Sequence, residues 1–590
     1  MRRVIGLFAL LSVACGAGGP PPPPPPPPAA SAALPKADAA ALPQAGAPVV
    51  VAIVVDQLSA WAADARLPAL PEDGAFARLR REGTWLRRAR YPYAVTDTAP
   101  GHAMLHTGRV PAESGIFANE VPDAQGKRVS ILRDPAVRVV GPEGKREAPG
   151  SSPARLRVET VADRLRAAHP DALVVSVSLK DRGAILPAGK KPSHVLWFEA
   201  GMDSFVTSTA FADAYPAWAR TLGDPKRVAE LRASPWEPLD PAWVSEHAPT
   251  PDDQPGEGDL DGMGIRFPHG PKTAAAFRAT PASDRALLDL ALAAVSAEHD
   301  PKKPTLLLLS LSANDIVGHT FGPDSWEAWD HLRRLDLALA GFLDQLERRV
   351  GPVRVVLSAD HGNVSMPEID KARRAWCKGE AADPFERPCS GGRRIHPDAI
   401  RDDLRAAAKK ALGPGDYVAG VADPYVFLTP EARALPAPRR AALDKAIRAV
   451  LDKQKDGIAE VLDVRDLETR CPRTLEKARG VPGRAAPGED VLTLVCRSWS
   501  PSIGAGDYYI VPRPGSFFDA DVVVGKGTSH GTPYLYDRTV PLLVRAPGVT
   551  PGEVVDDPVD IAVFSALESA LLGLDTRAPR DVVEAHRVKN

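Results

Sequence analysis

The chain has 590 residues, of which 44% are hydrophobic and 25% charged, and its formal net charge at pH 7 is −2. This is the composition of a soluble globular protein, long enough for several domain-sized units. The nearly neutral charge and the lack of a basic stripe with interleaved aromatic residues argue against nucleic acid as a main partner.

The first fifteen residues have the pattern of an export signal. Arg2 and Arg3 precede an apolar run from Val4 to Ala14, which is too short to span a bilayer. Cys15 follows in a Leu-Ser-Val-Ala-Cys context that resembles a bacterial lipoprotein signal, with the leucine one place further from the cysteine than usual. We expect export to the periplasm or cell surface, either with Cys15 lipidated and anchored to the outer membrane or with simple cleavage and release.

A proline-rich tract separates this signal from the rest of the chain. Pro20 to Pro28 are nine consecutive prolines, and an Ala/Pro-rich stretch continues to residue 47. Such a tract forms an extended polyproline II rod without a hydrophobic core. Residues 16–47 are therefore predicted to be a spacer, and membrane attachment is predicted only through Cys15.

Four cysteines follow in the mature chain: Cys377, Cys389, Cys471 and Cys496. An even number in an exported protein predicts two disulfides. Proximity in sequence favours Cys377–Cys389 and Cys471–Cys496 among the three possible pairings. A zinc site built from these cysteines is the minor alternative, because no Cys-x-x-Cys spacing occurs.

Continuous apolar runs predict strands that are buried on both faces, as in a central parallel sheet. In chain order these runs are residues 48–56, 172–179, 195–199, 305–311, 353–357 and 540–544. Helical spacing is found at residues 67–88, 98–107, 156–168, 285–299, 326–349 and 561–572. The alternation predicts an α/β fold with a largely parallel central sheet.

Two stretches interrupt this alternation. Residues 201–280 are rich in Pro, Trp, Asp and Gly and are interpreted as an insertion, or lid. Residues 367–515 hold all four mature cysteines and several short apolar runs, which indicates a second, disulfide-containing insertion with mixed α/β content. The core is accordingly predicted in three parts, at residues 48–200, 281–366 and 516–590.

Reactive side chains follow the predicted strands, at the edge where open α/β sheets place their sites. Thr98 stands just before Pro100, where a helix is predicted to begin, so its hydroxyl would face unpaired N–H groups that suit an anion such as phosphate. Three aspartates, three histidines and this hydroxyl are ligand chemistry for zinc. The candidate ligands are Asp56, Thr98, Asp315, His319, Asp360, His361 and His530.

These motifs resemble those of the alkaline phosphatase superfamily, and specifically its phosphate-irrepressible alkaline phosphatases with a threonine nucleophile. The resemblance covers about residues 49–572. Its motifs are Val-Val-Asp56-Gln, Thr98-Ala-Pro-Gly-His, Asn119, Lys180-x-Arg182-Gly, Asp315-x-x-x-His319, Ser-Ala-Asp360-His361-Gly and His530-Gly. It implies a three-layer αβα sandwich with two insertions.

The resemblance further implies an exported two-zinc phosphate monoester hydrolase that acts through a phospho-threonine intermediate. It implies one zinc held by Asp315, His319 and His530, and another held by Asp56, Asp360, His361 and the Thr98 oxygen. It also implies that Asn119, Lys180 and Arg182 contact the non-bridging phosphoryl oxygens. Small phosphate esters are the expected substrates, and a monomer is the expected state.

Two other functions stay open. Type I phosphodiesterases, nucleotide pyrophosphatases and phosphonate hydrolases of this superfamily resemble the chain in its metal ligands; the diesterases lack the Lys-x-Arg pair, whose presence favours monoesters. A non-catalytic surface-binding lipoprotein with a degenerate phosphatase fold would account for the two long insertions, but every ligand position is filled. Asp97, beside Thr98, has no role in the implied mechanism.

Overall fold

The structure is a computed structural model, and it describes residues 46–369, 392–477, 491–519 and 527–588. The predicted export signal with Cys15, nearly all of the predicted spacer, and both Cys377 and Cys389 lie outside the described residues. Within the described part of the chain, no helix is both long and apolar enough to cross a membrane.

Strands and helices alternate along most of the described chain. The strands are β1 (Val49–Val55), β2 (Thr84–Arg90), β3 (Glu120–Pro122), β4 (Arg128–Ser130), β5 (Arg133–Gly141), β6 (Gly144–Ser151), β7 (Leu173–Ser178), β8 (His194–Glu199), β9 (Ser204–Ser208), β10 (Thr305–Leu311), β11 (Arg354–Ser358), β12 (Arg394–Ile395), β13 (Val418–Ala422), β14 (Tyr425–Leu428), β15 (Ile458–Asp463), β16 (Tyr508–Pro512), β17 (Phe517–Phe518), β18 (Thr539–Arg545), β19 (Glu553–Val555) and β20 (Val559–Asp560). The helices are α1 (Ala60–Arg66), α2 (Ala75–Glu82), α3 (Thr98–Thr107), α4 (Pro111–Ser114), α5 (Val161–Ala168), α6 (Asp181–Ala188), α7 (Arg220–Gly223), α8 (Pro225–Arg232), α9 (Pro241–His247), α10 (Ala274–Phe277), α11 (Pro281–Glu298), α12 (Ala313–Phe321), α13 (Trp326–Val350), α14 (Pro397–Leu412), α15 (Pro430–Arg433), α16 (Ala437–Leu451), α17 (Val464–Lys477), α18 (Val491–Ser498), α19 (Leu535–Arg538), α20 (Val563–Leu571) and α21 (Pro579–Ala585).

One large mixed sheet organises these elements. Among the described residues it has twelve strands, in the order β19-β2-β18-β11-β1-β10-β7-β8-β9-β5-β6, with β20 paired to β2. The five central strands, from β11 to β8, are parallel to one another. The carboxyl ends of β11, β1, β10 and β7 therefore lie side by side at one edge of the sheet.

The central strands form because their side chains are apolar on both faces. Every residue of β1 and of β10 is buried. Helices cover the sheet in two groups, and α6 and α11, one from each group, both pack against β7 and β10. This arrangement is the predicted αβα layering, with α3, α5 and α20 beside α6, and α12 and α13 beside α11.

The first predicted insertion begins inside the sheet. Strand β9 pairs antiparallel with β8 and with β5, so the sheet continues beyond residue 201. The short helices α7 to α10 follow, and their region shares a small hydrophobic core with α12 and α13, in which Trp236 lies with Phe321. Two backbone hydrogen bonds tie this region to the sheet edge, from Gly258 N to Thr320 O and from Gly527 N to Gly256 O.

The second predicted insertion has a separate antiparallel sheet of four strands in the described residues, ordered β13-β14-β16-β15. Helices α14 and α16 pack together beside it and enclose a second hydrophobic core. Cys471 on α17 and Cys496 on α18 form a disulfide, the pair that sequence proximity favours. The mixed α/β content expected of this region is therefore present.

Helix α3 runs from Thr98 to Thr107, the bounds that the sequence predicts, and Asp97 occupies its N-cap. The helix lies tightly against the turn after β11, since a Cβ added to Gly101 would lie 2.2 Å from the carbonyl oxygen of Asp360. A glycine is thus required at position 101 for this helix to approach that turn.

Candidate active site

Four neighbouring strands deliver four charged side chains to one edge of the sheet. Asp360 follows β11, Asp56 follows β1, Asp315 lies in the first turn of α12 after β10, and Lys180 follows β7. All four are buried. Burying three carboxylates away from water costs free energy unless cations neutralise them. This edge of the sheet is therefore suited to binding positive charge.

Each of the three candidate ligand histidines directs one ring nitrogen at a backbone carbonyl. Nδ1 of His319 lies 2.8 Å from the oxygen of Thr528, and Nδ1 of His361 lies 3.0 Å from that of Gly362. His530 Nδ1 lies 2.9 Å from the carbonyl oxygen of Thr96. Since a carbonyl only accepts, each Nδ1 carries a proton, and each Nε2 is the ring nitrogen left to face the site.

Those Nε2 atoms face carboxylate oxygens, which also only accept. His319 Nε2 lies 3.2 Å from Asp315 Oδ1, and His530 Nε2 lies 3.7 Å from the same oxygen. His361 Nε2 lies 3.5 Å from Asp56 Oδ1 and 3.6 Å from Asp360 Oδ2. A proton on Nε2 or a bound metal ion would satisfy each of these nitrogen–oxygen pairs, and the convergence of three histidines on three carboxylates fits a metal centre.

Three candidate ligand atoms around His361 lack a hydrogen-bond partner. Asp56 Oδ1, Asp360 Oδ2 and His361 Nε2 are buried, and none of them has a hydrogen-bond partner among the described residues. Burial lowers the pKa of His361 to about 3 against the opposing charge of Asp360, so the ring is neutral, as a metal ligand must be. Buried polar atoms are normally paired, and this residue set therefore fits a divalent ion.

A second set shares the same space. Asp315, His361 and His530 offer ligand atoms that all lie within 4.8 Å of one another, as do Asp56, Asp360 and His361. The His361 and His530 rings stack with centroids 3.7 Å apart. His361 thus lies between the two predicted ligand sets, and His319 reaches the second set through Asp315.

Lys180 connects these sets to the hydroxyl of Thr98. Its Nζ lies 2.6 Å from Oδ2 of both Asp56 and Asp315, and it donates to Thr98 Oγ1 at 3.2 Å. Burial alone would lower the pKa of Lys180, but the Asp315 and Asp56 carboxylates outweigh it and raise that pKa above its usual value. A permanent positive charge therefore stands beside the hydroxyl.

The two remaining predicted residues, Asn119 and Arg182, also lie at this edge. Asn119 Oδ1 accepts from the N–H of Ala99 at 2.8 Å, which places its amide at the first turn of α3. Arg182 is in the first turn of α6, and its Nε is buried without a hydrogen-bond partner in the described chain. The structure thus brings all ten predicted site residues to one edge of the sheet.

Sequence reasoning missed two residues at this edge. Gln57 donates from Nε2 to Asp315 Oδ1 at 2.7 Å and from its backbone N to Asp360 Oδ1 at 3.1 Å, in a left-handed conformation with φ of 67°. His102, in the motif that begins at Thr98, approaches Asp360 Oδ2 to 3.2 Å. Both residues stand in the motifs that contain Asp56 and Thr98, and this was the sequence signal that could have identified them.

Known proteins share this fold over most of the chain. A family model described as type I phosphodiesterase / nucleotide pyrophosphatase matches residues 50–517. A protein named calcium-transporting ATPase from Myroides odoratus is 29% identical over 528 residues, 86% of this chain and 88% of the relative. Alkaline phosphatase PhoV from Synechococcus elongatus is 28% identical over 519 residues, 86% of each. The crystal structure of alkaline phosphatase PafA matches with a TM-score of 0.74 and 27% identity, covering 89% of this chain and 96% of that one.

Proposed function

The chain belongs to the type I phosphodiesterase / nucleotide pyrophosphatase family, and we propose that its own reaction is the hydrolysis of phosphate monoesters as a two-zinc alkaline phosphatase. The predicted resemblance to the alkaline phosphatase superfamily and the predicted α/β fold are both confirmed. Similarity to alkaline phosphatases over most of the chain supports a phosphoric monoester hydrolase.

The position of Lys180 carries this proposal. Its ammonium group touches a carboxylate from each predicted ligand set and the hydroxyl of Thr98 at once. A monoester has one more negative oxygen than a diester, so a fixed cation beside the nucleophile favours the monoester. Arg182, in the first turn of α6, supplies a second cation whose Nε has no protein partner among the described residues.

The ligand set fits two divalent ions, and we propose zinc because Asp and His are its ligands. Asp56, Asp360, His361 and Thr98 Oγ1 would hold one ion, and Asp315, His319 and His530 the other. When bound, the two ions would lower the pKa of the hydroxyl and offset the charge on the leaving oxygen.

Thr98 carries the transferred group in the proposed reaction. Its Oγ1 bonds to phosphorus while the ester P–O bond breaks, so that the alcohol leaves and a phospho-threonine remains. Water then cleaves the phospho-threonine, releasing phosphate and restoring the hydroxyl. The first residue of a helix suits this role, because the positive end of the helix dipole there favours an anion. Lys180, Arg182 and Asn119 would bind the non-bridging oxygens.

A diesterase is the second candidate, favoured by the name of the family model that matches the chain. A phosphonate hydrolase of the same superfamily is a variant of it. A non-catalytic binding protein is a third, but the three partnerless ligand atoms around His361 have no purpose in it.

Substrate preference distinguishes the first two candidates. The zinc-loaded full chain is assayed for kcat/KM on an aryl phosphate and on the matching bis-aryl phosphate. We expect the monoester to be preferred, and a preference for the diester would overturn the proposal. No hydrolysis of either ester, with fewer than one zinc per chain, would support the binding protein.

We also propose that the protein acts outside the cytoplasm as a monomer, on small phosphate esters. The Cys471–Cys496 disulfide supports an oxidising compartment. Fractionation of cells that express the full chain, with and without Cys15→Ala, tests export and lipid anchoring together. Activity that stays in the cytoplasm would contradict export.

A further inference from the structure

Asp97 occupies the N-cap of α3 but does not cap it. An N-cap aspartate normally accepts from the N–H of the second or third helical residue, and the Asp97 side chain makes no such bond. Its carboxylate turns away instead, and its Oδ1 lies 3.2 Å from Nδ1 of His530. Asp97 is only 6% exposed, so this contact is shielded from water.

Two oxygens therefore lie against the same side of the His530 ring. Its Nδ1 donates to the carbonyl oxygen of Thr96 at 2.9 Å, and Asp97 Oδ1 lies 3.2 Å from the same nitrogen. Nδ1 is thus occupied on this side, and Nε2 is the ring nitrogen that remains for a metal ion. That Nε2 faces Asp315, 3.7 Å away, on the side where the proposed ion would bind.

The turn after His530 lies so close to this carboxylate that a side chain at position 531 would collide with it. A Cβ on Gly531 would lie 2.9 Å from Asp97 Oδ1, and the residue has a φ of +91°. Side chains rarely adopt that conformation, and glycine does so readily. The close approach of Asp97 and the His-Gly turn is thus a built feature of the loop.

We infer that Asp97 is a positioning residue whose carboxylate, beside the protonated Nδ1, holds the His530 ring in the orientation that metal binding needs. The inference rests on the proposed function, in which His530 is a ligand. A carboxylate beside the other nitrogen of a ligand histidine orients the ring and makes it a better donor, and the loss of such a partner typically weakens metal affinity by about 10–100-fold. This gives a role to the one residue beside Thr98 that the reaction itself does not use.

The competing role is simple helix stabilisation. Any negative charge at the first turn of α3 interacts favourably with the helix dipole, and that effect would change stability without changing metal affinity. Asp224 is a matched control, since it is also an N-cap aspartate and its Oδ1 does accept from Lys226 N, at 2.8 Å.

Zinc affinity measured by chelator competition on the full chain tests the inference without any assay of turnover. Asp97→Ala should weaken one of the two zinc ions by about 10–100-fold and leave the other unchanged. Asp97→Asn keeps an oxygen that can accept from Nδ1, so it should recover part of the loss. Asp224→Asn should bind both ions like the wild type.

A substitution at Gly531 tests the contact between Asp97 and His530 from the His530 side. Gly531→Ala should push the carboxylate away and weaken the same ion, and adding Asp97→Ala to it should cause little further loss. Wild-type affinity for both ions in Asp97→Ala would overturn the inference. If that variant does not fold, wild-type affinity in both Asp97→Asn and Gly531→Ala would do so. A wild-type chain that binds no zinc would contradict the proposed function instead.

Discussion

The Nζ of Lys180 lies 3.2 Å from the hydroxyl oxygen of Thr98. The Asp315 and Asp56 carboxylates, against the effect of burial, raise the pKa of this lysine. The charged ammonium form of Lys180 is therefore favoured beside this hydroxyl. Thr98, which we propose as the nucleophile, and this cation lie together at the carboxyl edge of the central strands.

Replacing Thr98 with Ala should remove the covalent intermediate. We expect kcat/KM for a phosphate monoester to fall by roughly three or more orders of magnitude, with the fold retained, because the attacking oxygen is gone. Rapid-quench labelling with a radioactive monoester and measurement of turnover check both parts. Thr107→Ala is the matched control, since Thr107 lies at the other end of α3 and donates only to Ala103 O within the helix. Near-normal activity in Thr98→Ala would move the role to a directly attacking water, because the Thr96 hydroxyl already donates to Thr532 O.

Arg182 should matter more for monoesters than for diesters. Arg182→Ala is expected to lower kcat/KM for the monoester by about 10²-fold, because a donor to developing negative charge is lost, and to lower that for the matching diester less. Arg109→Ala is the control, since Arg109 is exposed and pairs only loosely with Glu113 at 3.5 Å. Equal losses on both esters would contradict the role of Arg182 as the partner of the extra negative oxygen.

Substitutions at His319 and at His361 should cause the loss of different numbers of zinc ions per chain. His319→Ala is expected to retain about one zinc per chain, whereas His361→Ala should lose most of both, because His361 belongs to both ligand groups. Mass spectrometry of the metal content after dialysis measures this. His194→Ala, at the opposite end of the sheet and paired with Glu298, should keep the wild-type content. Identical losses in His319→Ala and His361→Ala would argue against a shared ligand.

The disulfide should stabilise the second insertion. It joins residues 25 apart in sequence, and removing a crosslink of that size costs roughly 3 kcal/mol through the entropy of the unfolded chain. Cys471→Ala with Cys496→Ala should therefore lower the denaturant midpoint while leaving kcat/KM nearly unchanged. An unchanged midpoint would mean that the hydrophobic core of the insertion keeps it folded without the disulfide.

Glu257 should destabilise the protein as pH rises. Burial, reinforced by the charge of Glu327, raises the pKa of Glu257 to about 10. The folded state then holds a proton that the unfolded state releases above about pH 4.5, so stability is lost as pH rises from there toward 10. Glu257→Gln should raise Tm at pH 8 and much less at pH 5, measured by thermal unfolding. An equal effect at both pH values would show that the carboxyl is ionised in the folded protein.

The apolar runs predicted the centre of the sheet well because those strands are buried on both faces. The strand at Thr305–Leu311 matches the prediction residue for residue. Strand β2 (Thr84–Arg90) corrects a prediction, because helical spacing was expected at residues 67–88 and the end of that stretch is a strand. Its pairing with β18 supplies the missing stability, and Asp64 binds both Arg87 and Arg88.

The membership of the site followed from position after strand ends, but its internal arrangement did not. Which strand lies beside which depends on the whole sheet, so the order Asp360, Asp56, Asp315 and Lys180 could not be read from the chain. The Gln57 contact to Asp315 joins residues 258 apart. Nor could the turn of the Asp97 carboxylate toward His530 be predicted, because local propensity favours a simple N-cap at that position.

The hydrogen bond between His530 and Thr96 joins residues 434 apart in sequence. During translation helix α3, with Thr98 at its start and Thr96 just before it, therefore leaves the ribosome long before His530 is made. A chain that stops short of residue 530 holds an incomplete site, however well its first strands have paired. Catalytic turnover therefore indicates that synthesis has passed residue 530, and a product truncated before that residue can be recognised because it has no activity.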